Sequence, residues 1–383
     1  MSVRVAIAGI GAANYEIQAV RQHPELELAA LADVDAALLA EATRRYAVPA
    51  VPDVASLCSR EDVDAVYIGT PTHLHTEHAL QAIERSKHVI VAKPMALNLG
   101  DAARMIEAAE RRGVRLMVGH TQSYEPAIAA MRSIIASGEL GPLGMIATWY
   151  FTDWIYRGRQ PSELDVTKGG GVVYRQGAHQ FDIVRVLGGG LVRSVRAMAG
   201  AWDRDRPAEG AYAAFLEFED GAAATAVFNG YDHFRTTDIG FPIGEGGNEV
   251  GHDGYSEARS ALNQAGASGE LALKKERRQR ESAKRHQAFY GLTIVSCHRG
   301  DIRQSPDGLL VYGDDGLREV AREDARTGRD LMMDELYQAI AHKRLPAHNG
   351  RWGMATLEVQ LAVLQSSRDR REIALSHQVP FGA

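Results

Sequence analysis

Short apolar runs alternate with amphipathic stretches along the first 120 residues. The runs with the length of strands are Val3–Ala8, Leu28–Ala32, Ala65–Ile68, His88–Val91 and Arg115–Val118. The helical patterns between them lie near Tyr15–Arg21, Ala36–Tyr46, Thr76–Arg85 and Asp101–Arg112. Apolar strands that alternate with helices form parallel sheets covered on both faces. We therefore predict a doubly wound α/β domain, which binds ligands at the carboxyl ends of its strands.

The pattern changes after about Tyr124, so we predict a domain over residues 1–123, a second over 124–365 and a C-terminal tail over 366–383. In the second domain a helix near Pro126–Ala136 precedes a long strand, Met145–Phe151. Further strands are predicted at Arg193–Ala201, Tyr212–Glu217, Ala223–Asn229, Leu292–Cys297 and Gly308–Val311. Helices near Leu331–His342 and Met354–Ser367 are expected to pack back on the sheet and the first domain.

Two segments of the second domain carry no clear pattern. Residues 232–268 are rich in Gly, Asp and His and are long for a loop, which indicates an insertion or lid. Residues 274–285 are dominated by Lys, Arg and Glu, which is typical of a solvated helix or mobile loop.

Composition excludes several classes of protein. The chain has 383 residues, a net charge of −6 and two cysteines. The charge gives no support to nucleic-acid binding, and no run reaches the roughly 18 apolar residues of a membrane span. Two distant cysteines exclude a disulfide framework and fit a reducing compartment. We expect a cytoplasmic protein with a small-molecule substrate, and neither a nucleic acid nor a membrane as partner.

The first strand ends in a glycine loop, Gly9 to Asn14. Gly9 permits a tight turn, Gly11 lets the backbone approach a pyrophosphate, and Ala12 and Ala13 lead into a helix whose N–H groups face that anion. Asn14 stands where the dinucleotide fingerprint usually has Gly or Ala. Taken alone, Gly-x-Gly is equally consistent with a plain strand–turn–helix connection.

An acidic residue supports the dinucleotide interpretation. Asp33 ends the second strand, 24 residues after Gly9, which suits a carboxylate that binds the ribose hydroxyls of NAD. It would repel the 2′-phosphate of NADP, so NAD is favoured and NADP is the alternative. A helix cap is the other role for an acid here, and Asp35 suits that role better.

Polar residues also follow the next strands. Thr70, Pro71 and His75 follow the run Ala65–Ile68, and Lys93 and Pro94 follow the run His88–Val91. Most lysines are solvated, yet Lys93 is expected to face the nicotinamide as a proton donor or relay. The spacing His73-x-His75-x-x-His78 lacks an accompanying carboxylate or cysteine, so we expect no metal.

Taken in order, these motifs resemble the Gfo/Idh/MocA oxidoreductases. The matching pieces are Gly9-Ile10-Gly11, Ala32-Asp33-Val34, Thr70-Pro71 with His75, Lys87-His88-Val89, Lys93-Pro94, Val118-Gly119-His120, Tyr124-Glu125-Pro126, Gly141-Pro142-Leu143-Gly144 and His179-Gln180-Phe181-Asp182. The resemblance implies a Rossmann domain, then an α+β domain with an open, mostly antiparallel sheet, and a homodimer or homotetramer. It implies that Lys93 lies near hydride transfer and that His179 acts as acid or base. The implied cofactor-binding residues are Gly9, Gly11, Ala12, Ala13, Asn14, Asp33, Thr70, Pro71, His75, Lys93 and Pro94.

The chain departs from the family pattern at three positions. Ala92 replaces the Glu before Lys93, and Ser123 replaces an arginine often found there. Arg175 replaces the acid that sugar and inositol enzymes place four residues before the histidine, which argues against a simple polyol oxidase. The stretches around Tyr156, Gly169 to Val173 and Gly291 to Cys297 resemble the phthalate 4,5-cis-dihydrodiol dehydrogenase branch.

The substrate is expected to be anionic. Asp182 lies three residues after His179, on one helix face, and is predicted to orient it as a catalytic residue. Tyr124, Arg157, Arg159 and Arg175 are predicted to contact the substrate with Lys93 and His179, since arginine binds carboxylates through two N–H groups. The arginines would equally pair with Asp153, Glu163 or Asp165, or with cofactor phosphate.

These observations predict an NAD-dependent dehydrogenase that oxidises a cyclic secondary alcohol, first of all a carboxylated cis-dihydrodiol, to a catechol. One alternative is a sugar or inositol dehydrogenase or a sugar-epimerising enzyme of the same family. Another is an NAD-binding regulatory or scaffold protein without catalysis.

Overall fold

The computed structural model describes residues 2–11, 13–231, 233–250, 257–279 and 286–382. Ala12, which we predicted to contact the cofactor, lies outside the described residues. So do residues 251–256 and 280–285, which belong to the two segments without a clear pattern.

The N-terminal part of the chain forms a parallel sheet. Its strands are β1 (Val3–Ala8), β2 (Leu26–Ala32), β3 (Ala50–Val51), β4 (Ala65–Ile68), β5 (His88–Ala92) and β6 (Leu116–Gly119). Its helices are α1 (Asn14–Gln22), α2 (Ala36–Tyr46), α3 (Val54–Cys58), α4 (His75–Glu84) and α5 (Leu99–Arg112). The order is β3-β2-β1-β4-β5-β6, and each adjacent pair is parallel. The doubly wound prediction is confirmed, and the strand order reverses between β1 and β4.

Short polar residues and glycines set the helix ends. The Asp35 carboxylate accepts hydrogen bonds from the N–H groups of Ala37 and Leu38, so it caps α2. Asn98 caps α5 in the same way, and Gly113, at φ 66°, ends that helix. Asp35 is thus the helix cap, which leaves Asp33 for another role.

The following residues build a second, larger sheet. The remaining elements are α6 (Pro126–Ser137), β7 (Leu143–Phe151), α7 (Ala178–Leu187), β8 (Val192–Gly200), β9 (Ala211–Phe218), β10 (Ala223–Asn229), α8 (Glu257–Gln279), β11 (Leu292–Cys297), β12 (Gly300–Ser305), β13 (Gly308–Gly313), β14 (Gly316–Ala321), α9 (Gly328–Ala341), α10 (Gly350–Asp369) and β15 (Ile373–Ala374). The sheet order is β14-β13-β12-β11-β7-β10-β9-β8-β15. Among these described strands β7 and β10 are parallel and the other adjacent pairs are antiparallel. The open, mostly antiparallel sheet is confirmed.

The two faces of this sheet differ. Along β7, Ile146, Thr148 and Tyr150 are buried, whereas Met145 and Trp149 are exposed. Helix α7 packs on the buried face, against β7 and β10. This alternation is the strand period of two, with one face on the core.

The chain divides into two compact units. The first unit contains Met1–Tyr124, Gly328–Glu358 and Val379–Ala383, and the second contains Glu125–Thr327 and Val359–Gln378. The predicted boundary near 124 agrees with this division, but residues 328–358, which we had placed in the second domain, group with the first unit. The helix near Leu331–His342 is expected from the sequence to pack back on the first domain, and α9 indeed groups with the first unit.

The predicted tail over 366–383 needs correction. It begins inside α10, where the Ser366 hydroxyl accepts a hydrogen bond from the Ala197 N–H (2.9 Å). Ile373 then pairs with Val195 as β15 extends the second sheet. Backbone hydrogen bonds to a sheet edge order a segment whose sequence has no strong strand pattern.

Among the described residues, none of the helices combines the length and apolar character needed to cross a bilayer.

Candidate functional site

The glycine loop of the first unit lies where β1 and β4 diverge. Gly9 has φ +82°, and a Cβ there would lie 2.6 Å from the Gly69 carbonyl carbon. This position therefore needs glycine for the chain's own backbone packing. Gly11 is different: a Cβ would only contact Leu38 at 3.5 Å. No described residue requires glycine at 11, so the open space is available to a ligand that approaches the backbone.

Asp33 closes one side of this loop. Its carboxylate accepts hydrogen bonds from the Gly11 N–H (3.3 Å) and the Asp35 N–H (3.1 Å). Asn14 begins α1, and its side-chain oxygen accepts a hydrogen bond from the Tyr46 hydroxyl (3.0 Å). The carboxylate of Asp33 can accept hydrogen bonds from ribose hydroxyls, and the N–H groups at the helix N-terminus can bind a pyrophosphate, as a dinucleotide requires.

The loops that follow β4 and β5 are joined by one histidine. His75 is 1% exposed. Its Nδ1 lies 2.9 Å from the Pro94 carbonyl oxygen and its Nε2 lies 2.8 Å from the Thr70 carbonyl oxygen. His75 thus holds these loops together from inside the protein, whereas Lys93 is half-buried at the end of β5. The predicted contact of His75 with the cofactor stays a prediction.

One of the neighbouring histidines, His78, contacts the loop after β4. The Nδ1 atom of His78 lies 2.9 Å from the Thr70 hydroxyl, and burial lowers the pKa of His78. Within the part of the chain that the structure describes, no three His, Cys, Asp or Glu side chains form a group suited to a metal ion.

Tyr124 belongs to a polar network that the sequence did not indicate. Its hydroxyl donates a hydrogen bond to Glu335, and its ring stacks on His348 with centroids 4.0 Å apart. His348 lies 3.5 Å from the same carboxylate and 3.0 Å from the Ser123 hydroxyl. Burial opposes ionisation of Glu335, but His348 and Tyr124 more than offset it, so the pKa is lowered. Tyr124 is 9% exposed and its hydroxyl binds Glu335, so the structure gives it a place in this network, and its predicted substrate contact stays a prediction.

In the second unit, a π-helix precedes the predicted catalytic histidine. The π-helix spans Val173–Gly177 and continues into α7. His179 is half-buried, and its ring packs edge-on against Tyr290 with centroids 5.3 Å apart. Asp182, three residues on, is completely buried. π-Helical turns are frequent at functional sites, since they redirect the side chains that follow.

Arg157 pairs with carboxylates of its own unit. Its Nε donates to Asp153 (2.8 Å), an Nη group donates to Glu245 (3.4 Å), and the other Nη group donates to the Thr152 hydroxyl. Burial opposes ionisation of Asp153, but Arg157 holds its pKa below the ordinary value. Pairing with Asp153, one of the alternatives drawn from the sequence, is what the structure shows.

Arg159 and Arg175 converge on Glu163. The Glu163 Oε1 atom lies 3.6 Å from Arg159 and 3.0 Å from Arg175, and its Oε2 atom pairs with Lys274. Arg159 is 5% exposed and stacks on Trp154, with its guanidinium carbon 3.7 Å from the ring centroid. We name Glu163, Arg159, Arg175 and Lys274 the Glu163 cluster. Glu163 therefore supplies a counter-charge to Arg159 and Arg175, which is one of the alternatives that the sequence left open. Their predicted contacts with the substrate stay predictions.

The Glu163 cluster takes the first residue of the basic segment into the protein interior, whereas residues 275–277 of α8 are exposed as predicted. Lys274 is 4% exposed, although residues 274–285 read as solvated. It lies on α8, one turn after Glu270, which binds Arg206 (2.5 Å) and the Arg159 N–H (2.8 Å). Gly158 fits beneath α8, because a Cβ there would lie 2.6 Å from the Glu270 carbonyl oxygen. Buried ion pairs between residues 111 apart leave no local sequence signal.

A cavity of about 740 Å³ lies within the second unit. The end of β7, the 235–250 segment, α8 and the start of β11 form its walls, which include Tyr150, Arg157 and Glu245. The Tyr150 ring lies 4.9 Å from Tyr290, which in turn contacts His179. A chain of aromatic contacts therefore connects the cavity wall to His179. The volume of the cavity is in the range of small-molecule sites, about 300–1,000 Å³.

Comparison with known proteins agrees with both units. The model of an oxidoreductase family with an NAD-binding Rossmann fold matches residues 3–120, and that of the GFO/IDH/MocA C-terminal domain matches residues 128–241. The 1-carboxy-3-chloro-3,4-dihydroxycyclohexa-1,5-diene dehydrogenase of Comamonas testosteroni is 34% identical over 380 residues, which cover 96% of this chain and 95% of that protein.

Two solved structures show the same architecture. A protein of Bordetella bronchiseptica RB50, assigned only provisionally as a dehydrogenase, is 38% identical, with a TM-score of 0.93 over 98% of this chain and 100% of its own. The WlbA dehydrogenase of Bordetella pertussis, solved with NADH and UDP-GlcNAcA, is 20% identical, with a TM-score of 0.70 over 98% and 99% of the two chains. At that identity the likeness shows the fold alone.

The resemblance deduced from the motifs, including that to the dihydrodiol dehydrogenase branch, is confirmed by these matches. The chain belongs to the Gfo/Idh/MocA family of oxidoreductases, with the NAD-binding Rossmann fold first and the C-terminal domain of the family after it.

Proposed function

We propose that this oxidoreductase uses NAD to oxidise a cyclic secondary alcohol, first of all a carboxylated aromatic cis-dihydrodiol, to a catechol. The observation that carries the proposal is the end-to-end similarity to the Comamonas enzyme, which is named for a carboxylated dihydroxycyclohexadiene. Asp33 supports NAD over NADP, because a fixed carboxylate repels a 2′-phosphate.

The residues of the first unit fit a bound dinucleotide. The N–H groups at the start of α1 would face the pyrophosphate, Asp33 would bind ribose hydroxyls, and the space at Gly11 admits the ligand. When bound, NAD supplies the acceptor for a hydride from the carbinol carbon. Lys93, half-buried at the end of β5, would stabilise the developing alkoxide by its charge.

His179 would accept the hydroxyl proton as the hydride leaves. Its ring is half-buried and is supported on one side by Tyr290, whose hydroxyl donates to the Gln176 carbonyl oxygen (2.9 Å). This packing limits rotation of the imidazole, as proton transfer requires. The ketone first formed from a dihydrodiol tautomerises to a catechol, and aromatisation draws the reaction forward. Asp182 remains a predicted positioning residue for His179.

NADH formation, followed by absorbance, tests the proposal on a panel of carboxylated dihydrodiols, polyols and sugar acids. We expect turnover of carboxylated dihydrodiols, and turnover of polyols alone would contradict the proposal. Lys93→Met and His179→Ala should each lower kcat about 100-fold or more, with NAD binding nearly unchanged. Lys168→Met and His298→Ala, both at exposed positions, serve as matched controls.

We also propose that the protein is a homodimer or homotetramer, assembled through the outer face of the second sheet. Four large apolar side chains on that face are 40–53% exposed: Met145, Trp149, Met198 and Phe215. Strand pairing aligns Trp149 of β7 with Met198 of β8 in one row of residues across the sheet, and Phe215 of β9 lies in the next row on the same face. Exposed apolar patches of this kind mark contact surfaces. Light scattering should show a dimer or tetramer, and Phe215→Arg should yield monomer.

A further inference from the structure

Arg303 is not among the arginines that the sequence suggested for binding an anionic substrate. It lies in β12, opposite Ile294 of β11 and Leu310 of β13, and its side chain lines the cavity of the second unit. Its guanidinium carbon lies 5.2 Å from the centroid of the Phe241 ring. Phe289, another residue of the cavity wall, meets Phe241 edge-on with centroids 6.2 Å apart.

The Arg303 Nε atom is buried and has no hydrogen-bond partner among the described residues. Two carboxylates of the wall already pair with another arginine. Asp153 and Glu245 both bind Arg157, and Glu245 also accepts a hydrogen bond from the Tyr150 hydroxyl (3.1 Å). A buried N–H of a cation without an acceptor is costly, so such groups usually bind a ligand or water.

The wall around Arg303 combines a cation with two aromatic rings. Guanidinium binds carboxylates through parallel N–H groups, and phenyl rings pack against a flat six-membered ring. We propose that Arg303 binds the carboxylate of a cyclic acid, with Phe241 and Phe289 as the apolar wall for its ring. Strand pairing places Arg303 in one row with Ala147 and Phe215, on the face of the second sheet opposite α7, so this binding site is separate from His179.

The test measures binding and does not depend on turnover. Protocatechuate and catechol, which differ only by a carboxylate, are titrated by calorimetry into NADH-loaded enzyme. Wild type should bind protocatechuate about 10- to 100-fold more tightly than catechol, the range of a charged hydrogen bond. Arg303→Met should reduce this preference to about threefold or less, while its catechol affinity changes little. Arg299→Met, on the exposed β11–β12 turn, removes the same charge and should keep the preference.

Arg303→Lys provides a second variant that keeps the charge but loses the planar fork. It should show an intermediate preference, and it replaces Arg303→Met if that variant fails to fold. Equal preference in wild type and the Arg303 variants would overturn the inference, as would wild type with no preference for protocatechuate. If no dihydrodiol gives NADH but the preference for protocatechuate still depends on Arg303, the proposed function is refuted and the carboxylate site at Arg303 is supported.

Discussion

The Glu163 cluster offers a sharp test of how the second unit is held together. Glu163→Gln keeps the size of the side chain but removes the negative charge shared by Arg159, Arg175 and Lys274. The Glu163, Arg159 and Lys274 side chains are each 5% exposed, so solvent cannot replace the lost charge. The substitution should therefore destabilise the contact between α8 and residues 157–163.

The magnitude follows from the distances. At an effective dielectric constant of about 20, charges 3.0–3.6 Å apart attract by roughly 5 kcal/mol before the cost of desolvation. Desolvation offsets most of this, and the attractions that share one carboxylate are not additive. Removing one partner of a buried ion pair costs about 3–5 kcal/mol, and we expect Glu163→Gln to lower the free energy of unfolding by that amount.

Urea unfolding followed by far-UV circular dichroism measures this change. Glu139→Gln is the matched control, because Glu139 pairs with Arg318 at the surface, where both side chains are about half exposed, and should cost less than about 1 kcal/mol. Trypsin should also cleave α8 faster in Glu163→Gln, since local opening there becomes easier. The double variant Glu163→Gln with Lys274→Met removes both charges and should recover part of the loss.

The cluster also predicts a pH dependence. Burial opposes ionisation of Glu163, but Arg175, Arg159 and Lys274 hold its pKa well below the ordinary value. Its stabilising contribution is therefore complete above the unfolded pKa of about 4.3 and is lost as the pH falls toward the folded pKa. Glu163→Gln should flatten this part of the acid limb. A loss of unfolding free energy at pH 7 no larger than that of Glu139→Gln would refute the reasoning.

Further predictions concern four single positions. In Gly9→Ala, the alanine would have to adopt φ +82° with its Cβ 2.6 Å from Gly69, so the variant should lower the free energy of unfolding by about 2–4 kcal/mol in urea titrations. Gly11→Ala should keep the free energy of unfolding and weaken NAD binding. Asp33→Ser should lower the NAD-to-NADP ratio of kcat/KM about tenfold or more, and an unchanged ratio would remove Asp33 from the cofactor site. Burial raises the pKa of Glu209 to about 7. The folded state therefore loses stability relative to the unfolded state as the pH rises from the unfolded pKa of Glu209 through 7. Glu209→Gln should be more stable than wild type by about 2 kcal/mol at pH 8, with little difference at pH 5.

Local pattern was sufficient for most of the first unit. The predicted strands Val3–Ala8 and Ala65–Ile68 and the helix Ala36–Tyr46 match β1, β4 and α2 residue for residue. Parallel strands buried on both faces give continuous apolar runs, and caps such as Asp35 act over two or three residues. In the second unit the sequence did not reveal β12, β14, β15 or α8, because their residues follow neither a strong strand period nor a strong helix period.

The sequence by itself determined the doubly wound sheet, the dinucleotide loop with Asp33 at its edge, and the family. Each of these depends on residues close together in the chain or on motifs in a fixed order. Only the tertiary structure decided which charged side chains pair with one another. Arg157, Arg159 and Arg175 looked suitable for a carboxylate, yet folding brings Asp153, Glu163 and Glu245 to them. Ion pairing falls off within a few ångströms, so it depends on distances in space that no spacing along the chain encodes.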